Sequence, residues 1–216
     1  MVFDLDGVLL ESEIAWTRAE TDLFARYGQP YGDLEKRLLI GGSLADTGRT
    51  LERLLERVRT ADQLVEELVE LAAVEFTRGV TPMPGAVNLI DELRGRRPIA
   101  VASNSLRRLV DLALDGSGLD GAFDAVIAGD EVPQPKPAPD IYLEAARRLD
   151  VDPRRCVAVE DSTNGLRSAH AAWQEFMKRY PALHARWKAF LETELLKPAN
   201  DPPVLPEPTW PFRVQG

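Results

Sequence analysis

Four short apolar runs, each ending in a polar group, constrain the fold of this chain more than any other feature. The runs are rich in β-branched and small apolar residues and lack the alternation of a half-exposed strand. Such runs are typical of strands buried on both faces of a parallel sheet. We therefore predict four strands, at Val2–Leu5, Ile99–Ala102, Ala125–Ala128 and Cys156–Val159.

The segments between the later runs show helical periodicity. Ala86–Leu93 and Ile141–Leu149 carry apolar residues at helical spacing. Alternating strands and helices, joined by right-handed crossovers, predict an α/β fold with a doubly wound, Rossmann-like parallel sheet. The carboxyl ends of such strands share one edge of the sheet, where ligands bind. The polar residues at the ends of the runs should therefore meet in one crevice: Asp4, Asp6, Ser103, Asn104, Asp130, Glu160 and Asp161.

The first and second runs are about 90 residues apart, whereas a simple βαβ unit needs only about 30. The stretch between them is helical in pattern, with a candidate helix at Thr17–Tyr27 and capping-box sequences beginning at Ser43 and Thr60. We interpret this stretch as a helical cap inserted over the sheet edge, and the segment RGVTPMPG as its hinge. The predicted division is a core of residues 1–10 and 83–172, a cap of residues 11–82 and a tail of residues 173–216.

The tail has a composition of its own. Aromatic and aliphatic side chains from Trp173 to Leu195 keep helical spacing, and Pro181 is predicted to begin a second helix. The segment KPANDPPVLPEPTWPF, which begins at Lys197, is too rich in proline for a regular helix or a central strand. We therefore expect an atypical helical and proline-rich tail that packs on the core or contacts another protein.

Composition argues against several classes of protein. The net charge of −9 argues against nucleic-acid binding. No apolar stretch is long enough to span a bilayer, and no signal-peptide pattern opens the sequence. Cys156 is the only cysteine, which excludes a disulfide framework and a cysteine-rich zinc site and predicts a small core residue. We expect a cytoplasmic protein without nucleic-acid or membrane partners.

Four motifs carry a resemblance to a known family. FDLDGVLLESE, VASNS, KPAPDIY and VEDSTNGLRSAHAA resemble, in this order, the motifs of the haloacid dehalogenase-like superfamily of phosphohydrolases. The spacing is similar to that of the subfamily with a helical cap after the first motif, which includes phosphoglycolate phosphatases and beta-phosphoglucomutase-like enzymes. The resemblance extends from about residue 2 to residue 172. Four motifs in order are much more specific than any one of them.

The resemblance implies a Mg²⁺-dependent phosphatase that hydrolyses a small phosphorylated metabolite, an organic phosphomonoester, through an aspartyl-phosphate. It makes Asp4 the nucleophile and Asp6 the general acid and base. It makes Lys136 the cation that pairs with Asp4 and with the phosphate. Taken alone, Asp-x-Asp-Gly is more often a strand-end Asx turn, and a lysine in a polar loop is more often solvated. The other motifs favour the catalytic interpretation of both.

The resemblance also implies residues that bind the phosphate and the rest of the substrate. Ser103 is implied as a direct phosphate ligand, with Asn104 as a second phosphate-binding residue. The alternative for either residue is a helix N-cap, and both roles can hold for adjacent residues. Gly42 resembles part of a cap loop that reaches the substrate, although a glycine pair before a helix is more often a turn.

A Mg²⁺ site follows from the resemblance as well. The implied ligands are the carboxylates of Asp4 and Asp161 and the backbone carbonyl of Asp6. Glu160 is implied to orient water or ligands from outside direct coordination. The alternative is an exposed acidic turn before a helix capped by Ser162.

Other functions stay open at this point. A sugar-phosphate mutase would be similar in sequence, but such relatives usually carry a histidine soon after the first motif. ESEIAWTRAE has none, and we assign no catalysis to His170 or His184. A haloacid dehalogenase needs neither Mg²⁺ nor Asp6. A weakly active or partner-binding relative is a further alternative, because the family usually continues after SAHAA with another strand, and this chain does not.

Overall fold

The computed structural model describes residues 1–40 and 43–178 of the 216-residue chain. The predictions for Gly42, for His184 and for a helix at Pro181 lie outside the described residues, as does the proline-rich segment. No helix within the described ranges is long and apolar enough to cross a membrane. The cytoplasmic location stays a prediction.

Six strands and eight α-helices make up the described part of the fold. In chain order they are β1 (Val2–Phe3), β2 (Leu10–Glu11), α1 (Glu13–Arg26), α2 (Asp33–Leu39), α3 (Leu44–Leu54), α4 (Ala61–Thr77), β3 (Thr81–Pro82), α5 (Ala86–Leu93), β4 (Ala100–Ser103), α6 (Arg107–Ser117), β5 (Ala125–Ala128), α7 (Asp140–Arg148), β6 (Ala158–Val159) and α8 (Thr163–Lys178). Two short 3₁₀ helices lie at Gly129–Glu131 and Pro153–Arg155.

Four of the strands form a parallel sheet in the order β5-β4-β1-β6. Val2 of β1 pairs with Ala100 on one side and with Ala158 on the other, so the first strand lies inside the sheet. Later strands therefore lie on both sides of β1, with β4 and β5 on one side and β6 on the other. This arrangement makes β1 the topological switch point of the sheet. The predicted doubly wound α/β class is confirmed, although β1 and β6 are two-residue strands where four residues were predicted.

Both faces of the sheet are covered, which explains why its strands are apolar without alternation. Val2 and Ala100 point to the face where α7 and α8 pack. Phe3 and Val101 point to the opposite face, where α5, α6 and the inserted helices pack. These four side chains are at most 1% exposed. The predicted core position of Cys156 is also confirmed, since this residue is buried.

The insertion between β1 and β4 is helical, as predicted. Its long helix α4 packs against α1, α3 and the core helix α6. Both expected capping boxes are present: the Ser43 hydroxyl accepts from the Asp46 amide at 3.2 Å, and the Thr60 hydroxyl accepts from the Gln63 amide at 3.4 Å. Helix α1 begins four residues earlier than the predicted Thr17.

Two features of the insertion were not predicted. Helix α2 has no counterpart in the sequence analysis. The strands β2 and β3 pair antiparallel, with Leu10 opposite Pro82 and Glu11 opposite Thr81. The two ends of the insertion therefore lie side by side, immediately after Asp4 and Asp6. At the other end of the fold, α8 continues through the predicted boundary between residues 172 and 173.

Candidate active site

Three neighbouring strands deliver polar side chains to one edge of the sheet. Asp4 and Asp6 follow β1, Ser103 ends β4, and Glu160 and Asp161 follow β6. A pocket of about 220 Å³ opens at this edge. Core residues border one side of it: Asp4, Asp6, Gly7, Asn104, Ser105, Lys136, Asp161, Ser162 and Asn164. Inserted helices and their connections border the other side, through Glu13, Trp16, Glu20, Leu39, Ile40, Leu44, Thr47 and Leu68.

Lys136 connects the loop before α7 to the ends of β1 and β6. Its side chain is 3% exposed, and its ammonium group donates to Asp4 Oδ1 at 2.7 Å and to Glu160 Oε1. Asn104 holds the backbone of this lysine, since its Oδ1 accepts from the Lys136 amide at 2.8 Å and its Nδ2 donates to the Lys136 carbonyl at 3.1 Å. The ammonium is thus fixed in place from a distant part of the chain.

Burial and charge act on these groups in opposite directions. Burial raises the pKa of Asp4 to about 7, with the ammonium of Lys136 opposing that rise. Burial acts to lower the pKa of Lys136, but the Asp4 and Glu160 carboxylates outweigh it, and this pKa is raised. Burial also raises the pKa of Asp161. The lysine therefore stays cationic beside a carboxylate whose charge burial disfavours.

Glu160 is surrounded by donors. Its Oε1 accepts from Lys136 and from the Tyr142 hydroxyl at 2.7 Å. Its Oε2 accepts from the Ser162 hydroxyl at 3.0 Å. The same Ser162 hydroxyl accepts from the Gly165 amide at 3.0 Å, as expected of a residue capping α8. Both oxygens of Glu160 are therefore engaged within the protein.

Three carboxylates come close enough to share a cation. One oxygen from each of Asp4, Glu160 and Asp161 lies within 4.8 Å of the others. A set made only of carboxylate oxygens suits a hard divalent cation rather than a softer transition metal. Because Glu160 already accepts from three side chains, Asp4 and Asp161 are the members with more capacity for a metal. The Asp6 carboxylate is not part of this cluster.

Asp6 instead accepts hydrogen bonds from three hydroxyl groups. Ser12 donates to Oδ1, while Ser103 and Ser105 donate to Oδ2 at 3.2 and 3.3 Å. Ser103 also accepts from the Ser105 amide at 3.1 Å. The sequence analysis missed Ser12 and Ser105, although both lie inside the quoted motifs. The groups that the Ser12 and Ser105 side chains contact depend on tertiary packing, and the motifs alone do not reveal that packing.

Asp130 and His170 do not border this pocket. Asp130 was expected in the crevice, but its carboxylate accepts from the Arg107 amide at 2.9 Å, at the start of α6. That prediction was wrong because β5 is an outer strand, separated from β1 by β4. His170 lies in α8, where its ring stacks on Trp173 with centroids 5.7 Å apart.

The insertion adds a buried carboxyl group that the sequence analysis did not single out. Glu20 of α1 borders the pocket and is only 8% exposed. The Tyr31 hydroxyl donates to its Oε2. Burial raises the pKa of Glu20 to about 7, against the effect of the Tyr31 hydrogen bond. An acidic residue on a helix is usually solvated, so its sequence context gave no signal of this environment.

Comparison with known proteins identifies the family of this chain. The sequence profile of the haloacid dehalogenase-like hydrolases matches residues 1–172. The chain belongs to this family. The matched residues include every member of the site described above, and the resemblance inferred from the four motifs is confirmed.

Individual relatives are similar over most of their length. Fructose-1-phosphate phosphatase YqaB of Escherichia coli K12 is 34% identical over 176 residues, which cover 80% of this chain and 91% of that protein. Hexitol phosphatase B of the same organism is 33% identical over 183 residues, covering 79% and 78%. The crystal structure of CbbY from Rhodobacter sphaeroides in complex with phosphate has a TM-score of 0.70 and 32% identity, covering 79% and 81%.

Proposed function

We propose that this family member is a Mg²⁺-dependent phosphatase of small organic phosphomonoesters, with sugar phosphates as the first class to examine. The observation that carries the proposal is the buried contact of 2.7 Å between Lys136 and Asp4 beside Asp6 and Asp161. A nucleophile, a proton-transfer group, a fixed cation and a metal ligand then border a single pocket. The names of the two phosphatase relatives support sugar and hexitol phosphates.

In the first proposed step, an Asp4 carboxylate oxygen attacks the phosphorus of the substrate. The bond between phosphorus and the leaving oxygen breaks as Asp6 gives that oxygen a proton, which releases the alcohol and forms an aspartyl-phosphate. Lys136 stabilises the charge that builds on the phosphoryl group while it also positions Asp4. The three serine hydroxyls hold the Asp6 carboxyl in one orientation.

In the second proposed step, Asp6 takes a proton from a water molecule that attacks the same phosphorus. The bond between phosphorus and the Asp4 oxygen breaks, and free phosphate and the Asp4 carboxylate are released. The Asp4 and Asp161 carboxylates, with the Asp6 backbone carbonyl, would hold Mg²⁺, and Glu160 would keep Lys136 in place. When bound, Mg²⁺ neutralises phosphoryl oxygens and offsets the repulsion among the carboxylates.

Metal removal tests this function directly. We expect the purified full chain to hydrolyse p-nitrophenyl phosphate with Mg²⁺, and EDTA to lower kcat by about 10²-fold or more, because the clustered carboxylates then lack their cation. Re-addition of Mg²⁺ should restore the rate, as measured by release of nitrophenol and phosphate. Turnover that is insensitive to EDTA would contradict the proposal. Chloride release from a haloacid without metal would favour a dehalogenase, and an isomerised sugar phosphate in place of free phosphate would favour a mutase.

Gly7 provides a second test of the metal site. Its φ of +80° lies in the left-handed region, and a Cβ at this position would lie 2.2 Å from Asp161 Oδ2. Gly7→Ala is expected to push the Asp161 carboxylate away and to raise the Mg²⁺ concentration for half-maximal activity by about 10-fold or more. The backbone strain alone should cost about 1–2 kcal/mol of unfolding free energy.

Gly28 is a matched control for that strain. Its φ is +66°, and apart from the adjoining residues no atom in the described part of the chain lies within 4 Å of where its Cβ would be. Gly28→Ala should therefore lower the melting temperature without changing the Mg²⁺ requirement. If both variants change only the melting temperature, Asp161 is not a metal ligand. Titration of p-nitrophenyl phosphate hydrolysis with Mg²⁺ and thermal unfolding with EDTA separate these effects.

A further inference from the structure

The side of the pocket formed by the inserted helices, called the cap side here, has carboxyl groups but no cationic side chain among the described residues. Lys136 is the only residue with a cationic side chain among the described residues that border the pocket, and its ammonium group already contacts two carboxylates. The cap side contributes the carboxyl groups of Glu13 and Glu20 and the hydroxyl of Thr47. A substrate whose phosphoryl group occupies the core side would therefore place its leaving group among acidic and neutral groups.

Glu20 has one oxygen available for a ligand. Its Oε2 accepts from Tyr31, whereas its Oε1 accepts no hydrogen bond from the residues that the structure describes. Lys36 lies 3.1 Å from Glu13 and does not border the pocket. Because Glu20 is 8% exposed, little solvent screens its interaction with a bound group.

These observations deepen the proposed function and rest on it. We propose that Glu20, assisted by Glu13, selects phosphomonoesters with an uncharged, hydroxyl-rich leaving group and disfavours those that carry a second anionic group. A substrate hydroxyl can donate to the free Glu20 oxygen, and the Thr47 hydroxyl can donate or accept. A carboxylate or second phosphate at the same place would be desolvated beside like charge, without a free cation to pair with it.

Two compounds of equal length isolate the charge of the leaving group. Sorbitol 6-phosphate ends in a hydroxymethyl group where 6-phosphogluconate ends in a carboxylate. With the full chain and Mg²⁺ at about pH 8, we expect kcat/KM to be about 10-fold or more higher for sorbitol 6-phosphate. Glu20→Gln removes the charge but keeps the size, and it should lower this preference by about 10-fold. If turnover of the two compounds is slow, their inhibition constants, measured against p-nitrophenyl phosphate hydrolysis, give the preference instead.

A matched control and a second variant complete the design. Glu66 is an exposed glutamate of α4 outside the pocket, so Glu66→Gln should keep the wild-type preference. If Glu20→Gln does not fold, as judged by circular dichroism, Glu13→Gln should lower the preference in the same direction, because Glu13 is partly exposed and borders the pocket.

The outcomes separate the two proposals. Suppose that the chain hydrolyses p-nitrophenyl phosphate with Mg²⁺. If it then uses both six-carbon compounds equally, or neither hydrolyses sorbitol 6-phosphate nor is inhibited by it, the proposed role of Glu20 is wrong and the proposed function stands. A preference that neither glutamate variant changes overturns the proposed role of Glu20 as well. Absence of any phosphatase activity in the wild-type chain overturns the proposed function and this inference together.

Discussion

Asp4→Asn is expected to lower kcat for p-nitrophenyl phosphate by about 10⁴-fold or more, since an amide cannot attack phosphorus to form the acyl phosphate. The substitution should leave the fold intact, because an amide oxygen can still accept from Lys136 at the place where Asp4 Oδ1 accepts now. Burial already raises the pKa of Asp4 to about 7, so replacement of this carboxyl by a neutral group should cost little stability.

Three measurements make this prediction specific to Asp4 as the proposed nucleophile. Acid-quenched wild-type enzyme should gain the mass of one phosphoryl group during turnover, and the Asp4→Asn variant should not. Asp91→Asn is the matched control, since Asp91 is an exposed residue of α5, and it should keep wild-type kcat. Thermal unfolding checks that both variants fold. A residual rate above about a tenth of wild type in the Asp4→Asn variant would rule out the covalent route.

The sheet could be predicted because its strands have a strong local signal. A strand such as Ala125–Ala128 is apolar on both faces since helices cover both, and the prediction agrees with the structure at both ends. The capping boxes at Ser43 and Thr60 could be predicted for the same reason. In each, the hydroxyl and the backbone amide that form the hydrogen bond are only three residues apart in the chain. Features set by neighbouring residues in the chain were therefore accessible from the sequence.

Features set by distant residues were not accessible. Helix α2 has Gly32 as its N-cap and buries only Leu39, so it lacks both a strong start signal and an apolar face. The pairing of β2 with β3 depends on two residues in each strand, about 70 positions apart. The convergence of Asp4 and Lys136 was expected only through resemblance to a family, because 132 residues separate them.

Apart from substitution of Asp4, the proposed nucleophile, Lys136→Met is expected to be the most damaging change. Loss of the ammonium should lower kcat/KM by about 10³-fold, because no other cationic side chain among the described pocket residues faces the developing charge. It should also destabilise the metal-free protein by about 3 kcal/mol, since Asp4 and Glu160 would stay buried without their partner. Steady-state kinetics and urea unfolding in EDTA measure the two effects.

The stability loss should depend on pH in a defined direction. Lys136 opposes the effect of burial on Asp4, so its removal should raise the pKa of that carboxyl above about 7. A carboxyl group whose pKa is higher in the folded than in the unfolded state lowers stability as pH rises through the two values. The variant should therefore be weakest relative to wild type at about pH 8, with a smaller deficit at about pH 5.

A double variant separates charge from catalysis at this lysine. Lys136→Met leaves the carboxylates of Asp4 and Glu160 buried without a cation, and the added Glu160→Gln makes one of them neutral. Tyr142 can still donate to the amide oxygen at the position that it contacts now. The unfolding free energy should recover by more than about 1 kcal/mol while kcat/KM stays low. Recovery of activity together with stability would mean that Lys136 only supports the fold. Low activity in a restabilised protein would place its ammonium in the phosphoryl-transfer step itself.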